Sequence, residues 1–144
     1  MMKLEESVAM IEVSVSINAP IEEVWQKWTS VEDIQYWSFA SDDWAAEGIE
    51  NDLREGGHFK NRNFAKDGSF EFMFSGTYTE VVPNQKLAYT LDDGRSVEVD
   101  FAETDNGVTI RQRFDPESEN SEDMQKQGWQ AYLDNFKKYV ESAN

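Results

Sequence analysis

The chain of 144 residues contains no cysteine, a single histidine and three prolines. Without cysteine there is no disulfide framework, no thiol nucleophile and no thiolate-ligated metal. With His58 alone, neither a histidine-rich metal site nor a serine-histidine-aspartate arrangement finds support, and no carboxylates cluster at ligand spacing around it. No metal, no cofactor and no catalytic set is expected. Positive charge is also scarce, 13 Lys and Arg against 29 Asp and Glu, a formal net charge of −16. A field of that sign repels phosphate backbones and anionic lipid surfaces, so neither nucleic acid nor a membrane is an expected partner. There is no apolar run of the roughly 18 residues a membrane helix needs. The N-terminal stretch lacks the basic flank and apolar core of a signal peptide, so a soluble, cytoplasmic protein is the expectation.

Aromatic residues, by contrast, are abundant: 9 Phe, 5 Trp and 5 Tyr in a chain only 39% hydrophobic. They supply much apolar area per residue, enough for a core or for the walls of a cavity. A length of 144 residues fits one domain over 1–144, with Met1 to Val8 as a loose lead-in.

Periodicity gives the element order. Ile11, Val13, Val15 and Ile17 alternate with polar residues as a half-buried strand, closed by Asn18-Ala19-Pro20. Pro20 suits the start of a helix, with Glu22 and Glu23 in its first turn and Ile21, Val24, Trp25 and Trp28 as its apolar stripe. Ser30 to Asp33 reads as a capping-box start to a second short helix. Ser38 to Ala46 has no period and is expected to be a loop packed by Phe39 and Trp44.

From Gly48 onward, turn signals recur at Gly56-Gly57, Asp67-Gly68, Pro83-Asn84, Asp93-Gly94 and Asn106-Gly107. They bound six further strands. Phe70/Phe72/Phe74, Leu87/Tyr89/Leu91, Val97/Val99/Phe101 and Val108/Ile110 mark the buried face; Glu71, Glu98, Asp100, Thr109, Arg111 and Arg113 mark the wet one. A bulge is expected near Glu80 to turn it outward.

The chain closes on a long amphipathic helix, Asn120 to Asn144, with Asn120 as N-cap and Lys137 and Lys138 near its end. Trp129, Tyr132, Leu133, Phe136, Tyr139 and Val140 share its apolar face, extended by Met124 and Gly128. The predicted architecture is α+β. Seven mostly antiparallel strands form a curved sheet, two short helices separate the first and second strands, and the long helix covers one face.

Four stretches carry a family resemblance: INAPIEEVWQKWTSVEDIQYW (Ile17 to Trp37), REGGHF (Arg54 to Phe59), GTYTEVVPNQKLAYT (Gly76 to Thr90) and GWQAYLDNFKKYVE (Gly128 to Glu141). In this order they resemble the START-like superfamily of birch-pollen-allergen and polyketide-cyclase proteins. Within it they are most similar to the family named after the activator of the heat-shock-protein-90 ATPase. The resemblance implies a helix-grip fold with a cavity between sheet and C-terminal helix. It implies no single activity, since the superfamily includes carriers of lipids and polyketides, a few enzymes, and co-chaperones.

Candidate cavity residues follow from the pattern. Phe59, Asn61 and Asn63 share parity, so two amides point inward with the ring and can orient a polar group. Gln112 continues the buried parity of Val108 and Ile110. Trp28, Trp37, Phe39, Trp44, Phe72, Phe74, Phe101, Trp129, Tyr132 and Phe136 are candidate walls, each of a residue type that serves equally as core. The favoured reading is a binding protein for a small hydrophobic or amphipathic molecule, lipid- or polyketide-like. The alternatives are a co-chaperone-like stress-response module with a chaperone partner, and a cyclase- or hydrolase-type enzyme for which no nucleophile-base pair is visible. A monomer or weak homodimer is expected.

Overall fold

The computed structural model describes residues 9–142, and the expected lead-in lies outside the described residues. The elements run β1 (Ile11–Ile17), α1 (Ile21–Thr29), α2 (Val31–Ile34), β2 (Trp44–Asn51), β3 (His58–Ala65), β4 (Glu71–Val82), β5 (Lys86–Leu91), β6 (Ser96–Thr104), β7 (Gly107–Phe114) and α3 (Glu122–Ser142). The strands form one antiparallel sheet in the order β1-β7-β6-β5-β4-β3-β2. It is a meander to which the first strand has been added beside the last. The curled sheet, the long helix and the two short helices give the α+β helix-grip architecture.

Alternation decides which face is covered. Val97 and Val99 on β6, Val108, Ile110 and Phe114 on β7, and Leu87 on β5 are buried together with Leu133, Phe136 and Val140 of α3 and Val24 of α1. Burying side chains of this size stabilises by about 1.5–3 kcal/mol each, so this cluster is a main source of the fold's stability. The opposite face is wet and held by cross-strand ion pairs. Arg113 reaches Glu98 at 2.6 Å and Asp100 at 3.0 Å, and Arg62 reaches Glu47 at 2.8 Å and Glu71 at 2.5 Å. Exposed pairs of this kind contribute little individually, but they keep the sheet's outer face soluble.

Strand β1 is an edge, and α3 meets free backbone groups on it and just after it. Gln130 Nε2 donates to the Ser14 carbonyl at 2.9 Å, Lys137 Nζ donates to the Ser16 carbonyl at 2.5 Å, and the Asn18 amide donates to Glu141 at 2.9 Å. One helix therefore supplies both an apolar face for the sheet and a polar flank for its edge, which removes a template for unwanted strand pairing.

Several expectations need correction. Trp44 lies on β2, not in a loop; the sequence hides this strand because a register shift between Glu47 and Glu50, with Gly48 at φ 65°, breaks its period. The expected buried run Phe70/Phe72/Phe74 is not buried as such: Phe74 is partly buried, and Phe70 and Phe72 are 71% and 46% exposed, because that end of the β3–β4 hairpin runs past its cover. On α3, the hydroxyl of Ser121, not Asn120, accepts the Met124 amide at 3.1 Å, while Asn120 donates to Glu117. Met124 is exposed and its neighbour Gln125 is buried, its amide bonded to the carbonyls of Glu117 and Asn120. Ser30 precedes α2 without a side-chain cap bond. The expected bulge is present, between Tyr78 and Glu80, and Glu80 pairs with Lys86 at 3.4 Å.

Candidate functional site

The two halves of α3 meet different surroundings. Leu133, Phe136 and Val140 enter solid core, whereas Trp129 and Tyr132 border a cavity of about 420 Å³. The other walls come from β2 through β5, from Gln112 of β7, and from Trp28, Ile34, Trp37 and Ser38 at the helical end. The segment between α2 and β2 is held there from both sides. Trp37 Nε1 donates to the Lys27 carbonyl at 2.9 Å, and Asn135 Nδ2 donates to the carbonyls of Trp37 and Phe39 at 2.8 and 3.3 Å.

Of the sequence-predicted residues, Trp28, Trp37, Phe59, Asn61, Phe72, Phe74, Gln112, Trp129 and Tyr132 are brought together around this space. The remaining five are not on its wall. Phe101 packs behind Trp25 and Trp28, with ring centroids 5.3 and 5.7 Å away. Phe136 lies edge-on to Trp28 and Trp37 in the core. Trp44 leans on Phe72 at 5.8 Å, and Phe39 is half-buried in the connecting segment. Asn63 is fully buried and does not border the space.

Asn63 links a chain of polar side chains. Tyr132 donates its hydroxyl proton to Asn63 Oδ1 at 2.5 Å, Asn63 Nδ2 donates to Asn61 Oδ1 at 2.6 Å, and Asn61 Nδ2 donates to Ser38 Oγ at 3.3 Å. Inward amides are tolerated here because each finds a partner; among the described residues no buried side-chain nitrogen or oxygen is left without one.

Two further hydrogen-bonded pairs border the cavity. Tyr78 donates to Asn51 Oδ1 at 2.6 Å while Asn51 Nδ2 donates to the Thr29 carbonyl at 2.7 Å, and Gln112 Nε2 donates to the Tyr89 hydroxyl at 3.4 Å. Burial pushes the hydroxyls of Tyr78, Tyr89 and Tyr132 well above the ordinary tyrosine range. For Tyr89 the neighbouring Tyr78 adds to the rise and the bond from Gln112 opposes it. They therefore stay protonated, as neutral hydrogen-bonding groups. Tyr78 and Tyr89 lie at inward parity, so their burial was legible; Asn51, beside the β2 bulge, carries no pattern that would have marked it.

His58 lies on the other side of β3 from Phe59, half exposed, with Nε2 3.9 Å from Asp92. Among the described residues no three His, Asp or Glu side chains are placed to hold a metal ion. No described helix is long and apolar enough to cross a membrane. Gly128, expected to extend the apolar face of α3, is instead exposed, with nothing within 4 Å of where a Cβ would stand.

Fold and sequence together define the class. The family model for the Activator of Hsp90 ATPase homolog 1-like protein matches residues 18–141, and the chain belongs to that family. It is similar to the solution structure of an AHSA1-like protein from Aeromonas hydrophila, at 42% identity over 93% of each chain and a TM-score of 0.88. A Cytophaga hutchinsonii protein is 41% identical over 93% of each chain, with a TM-score of 0.80. A Chromobacterium violaceum protein shares the fold at 22% identity, TM-score 0.83, over 93% of this chain and 99% of its own. No curated protein matches the sequence.

Proposed function

We propose that the protein binds a small hydrophobic or amphipathic molecule in the cavity between β2–β5 and the N-terminal half of α3. The observation that carries this reading is the composition of the wall. A space of about 420 Å³ is bordered by Trp28, Phe59, Phe74 and Trp129 together with tyrosine hydroxyls and side-chain amides whose hydrogen bonds already fix them in place. Sites for small organic ligands have this size and this make-up, mostly apolar with a few oriented polar groups. The curled sheet of the family is compatible with such a use.

The test is native mass spectrometry of the protein purified from its own host under gentle and denaturing conditions. The expected result is a small molecule released only on denaturation, of a class that then raises the melting temperature of the emptied protein. A protein that carries nothing, and whose melting temperature no apolar compound raises, would sink the carrier reading.

The family's name and the net charge of −16 favour a second reading, docking to a basic surface of a chaperone. Its signature is an association that weakens steeply with salt.

A further inference from the structure

We infer that the cavity selects an uncharged amphiphile bearing a hydrogen-bond acceptor, and rejects carboxylate or phosphate amphiphiles of the same size. This rests on the reading of the cavity as a ligand site.

The inner wall offers only neutral polar groups: the hydroxyls of Ser38, Tyr78, Tyr89 and Tyr132 and the amides of Asn51, Asn61 and Gln112. The ionisable side chains that border the space are Glu50, Lys60, Asp92, Asp93 and Arg95, all with side chains reaching solvent. Both cations among them are already engaged, Lys60 with Glu50 at 3.4 Å and Arg95 with Asp93 at 2.9 Å. Asp92 leaves the mouth with an excess of negative charge. An anionic head drawn inside would lose its hydration and meet no countercharge, a large desolvation cost. The net charge of −16 disfavours its approach as well.

A neutral acceptor meets the opposite situation. The hydroxyl protons of Tyr78 and Tyr132 are given to Asn51 and Asn63. Like Ser38, whose hydroxyl accepts from Asn61, Tyr89 differs: its oxygen accepts from Gln112, and that is the hydroxyl's one hydrogen bond among the described residues. Its own proton is left for a carbonyl or hydroxyl oxygen of a guest, in a ring of aromatic neighbours formed by Phe59, Phe74 and Tyr78.

The experiment compares three guests on one ring system, 2-acetonaphthone, 2-naphthoate and unsubstituted naphthalene, titrated into the full chain at pH 8 by calorimetry. Backbone amide shifts locate each guest. The ketone is expected to bind at least tenfold more tightly than the carboxylate. Tyr89→Phe is expected to weaken the ketone by roughly fivefold while leaving naphthalene unchanged, the size of one neutral hydrogen bond. A carboxylate that binds as tightly as the ketone overturns the charge selection while the cavity remains a ligand site. If none of the three binds, the ligand site and the selection fall together. The wild-type comparison decides the matter even if the Tyr89 variant folds poorly.

Discussion

Tyr132 of α3 donates its hydroxyl to Oδ1 of Asn63 on β3, 69 positions earlier in the chain, across 2.5 Å. This bond fixes the distance between the helix and the far wing of the sheet, where aliphatic packing is thin, and so helps set the width of the cavity.

Asn63→Ala is therefore expected to cost more than a surface polar change. It strands the Tyr132 hydroxyl and the Asn61 carbonyl oxygen in a buried setting, at about 1–3 kcal/mol for each unmet group. Tyr132→Phe removes one donor and leaves one acceptor, and is expected to cost about half as much. Urea unfolding of both variants and of the double variant would measure this, with the double variant less destabilised than the sum. Strict additivity would mean the bond is not formed in solution.

Phe72 and Phe136 separate site from core. Phe136→Ala is expected to lose about 3–5 kcal/mol of stability, since its side chain is fully buried. Phe72, at the mouth and 46% exposed, is expected to change stability by less than about 1 kcal/mol on substitution by Ala while weakening any cavity guest. Parallel melting curves and guest titrations check both.

Glycines in two settings should respond oppositely to alanine. At Gly76 a Cβ would lie 2.5 Å from the Thr90 carbonyl oxygen and 3.0 Å from Phe59, so Gly76→Ala forces the β4–β5 ladder apart. At Gly128 nothing stands within 4 Å, and Gly128→Ala is expected to stabilise α3 by up to about 1 kcal/mol. Differential scanning calorimetry would show one melting temperature falling and the other rising.

The buried tyrosines predict alkaline behaviour. The folded state holds the protons of Tyr78, Tyr89 and Tyr132 more tightly than the unfolded chain, whose tyrosines ionise near pH 10. The stability they confer is complete below pH 10 and falls as pH rises above it. The slope is about 1.4 kcal/mol per pH unit for each tyrosine still protonated only when folded. Tyr139, raised to about 12 by burial and by its bond to Asp33, titrates within this range. Absorbance at alkaline pH should show the three cavity hydroxyls ionising together with unfolding, and a native protein that ionises all of them at pH 10 would contradict the burial.

Much of this could be read from the residues in order. Parity alone turned Phe59, Asn61, Asn63 and Gln112 inward, and all four are buried. The same rule misled at Phe70 and Phe72, because alternation records which way a side chain points and not whether anything lies opposite. It was silent on β2, where the bulge at Gly48 destroys the period. Which wall residues border empty space and which border other side chains depends on how far α3 stands from each strand. Phe101 and Phe74, inward on neighbouring parts of one sheet, illustrate this: Phe74 borders the cavity and Phe101 does not.

The pairing of β1 with β7, Ile11 opposite Phe114, also sets a timetable. As the chain leaves the ribosome, its first strand has no partner until the seventh has emerged, and the inner face has no cover until α3 follows. Contacts so distant in sequence form slowly, and the greasy inner face stays open meanwhile. Shortening the chain from its C-terminal end would leave that face without a lid and β1 without its polar flank, so loss of the last helical turns should reach the cell as insoluble protein rather than as a weaker binder.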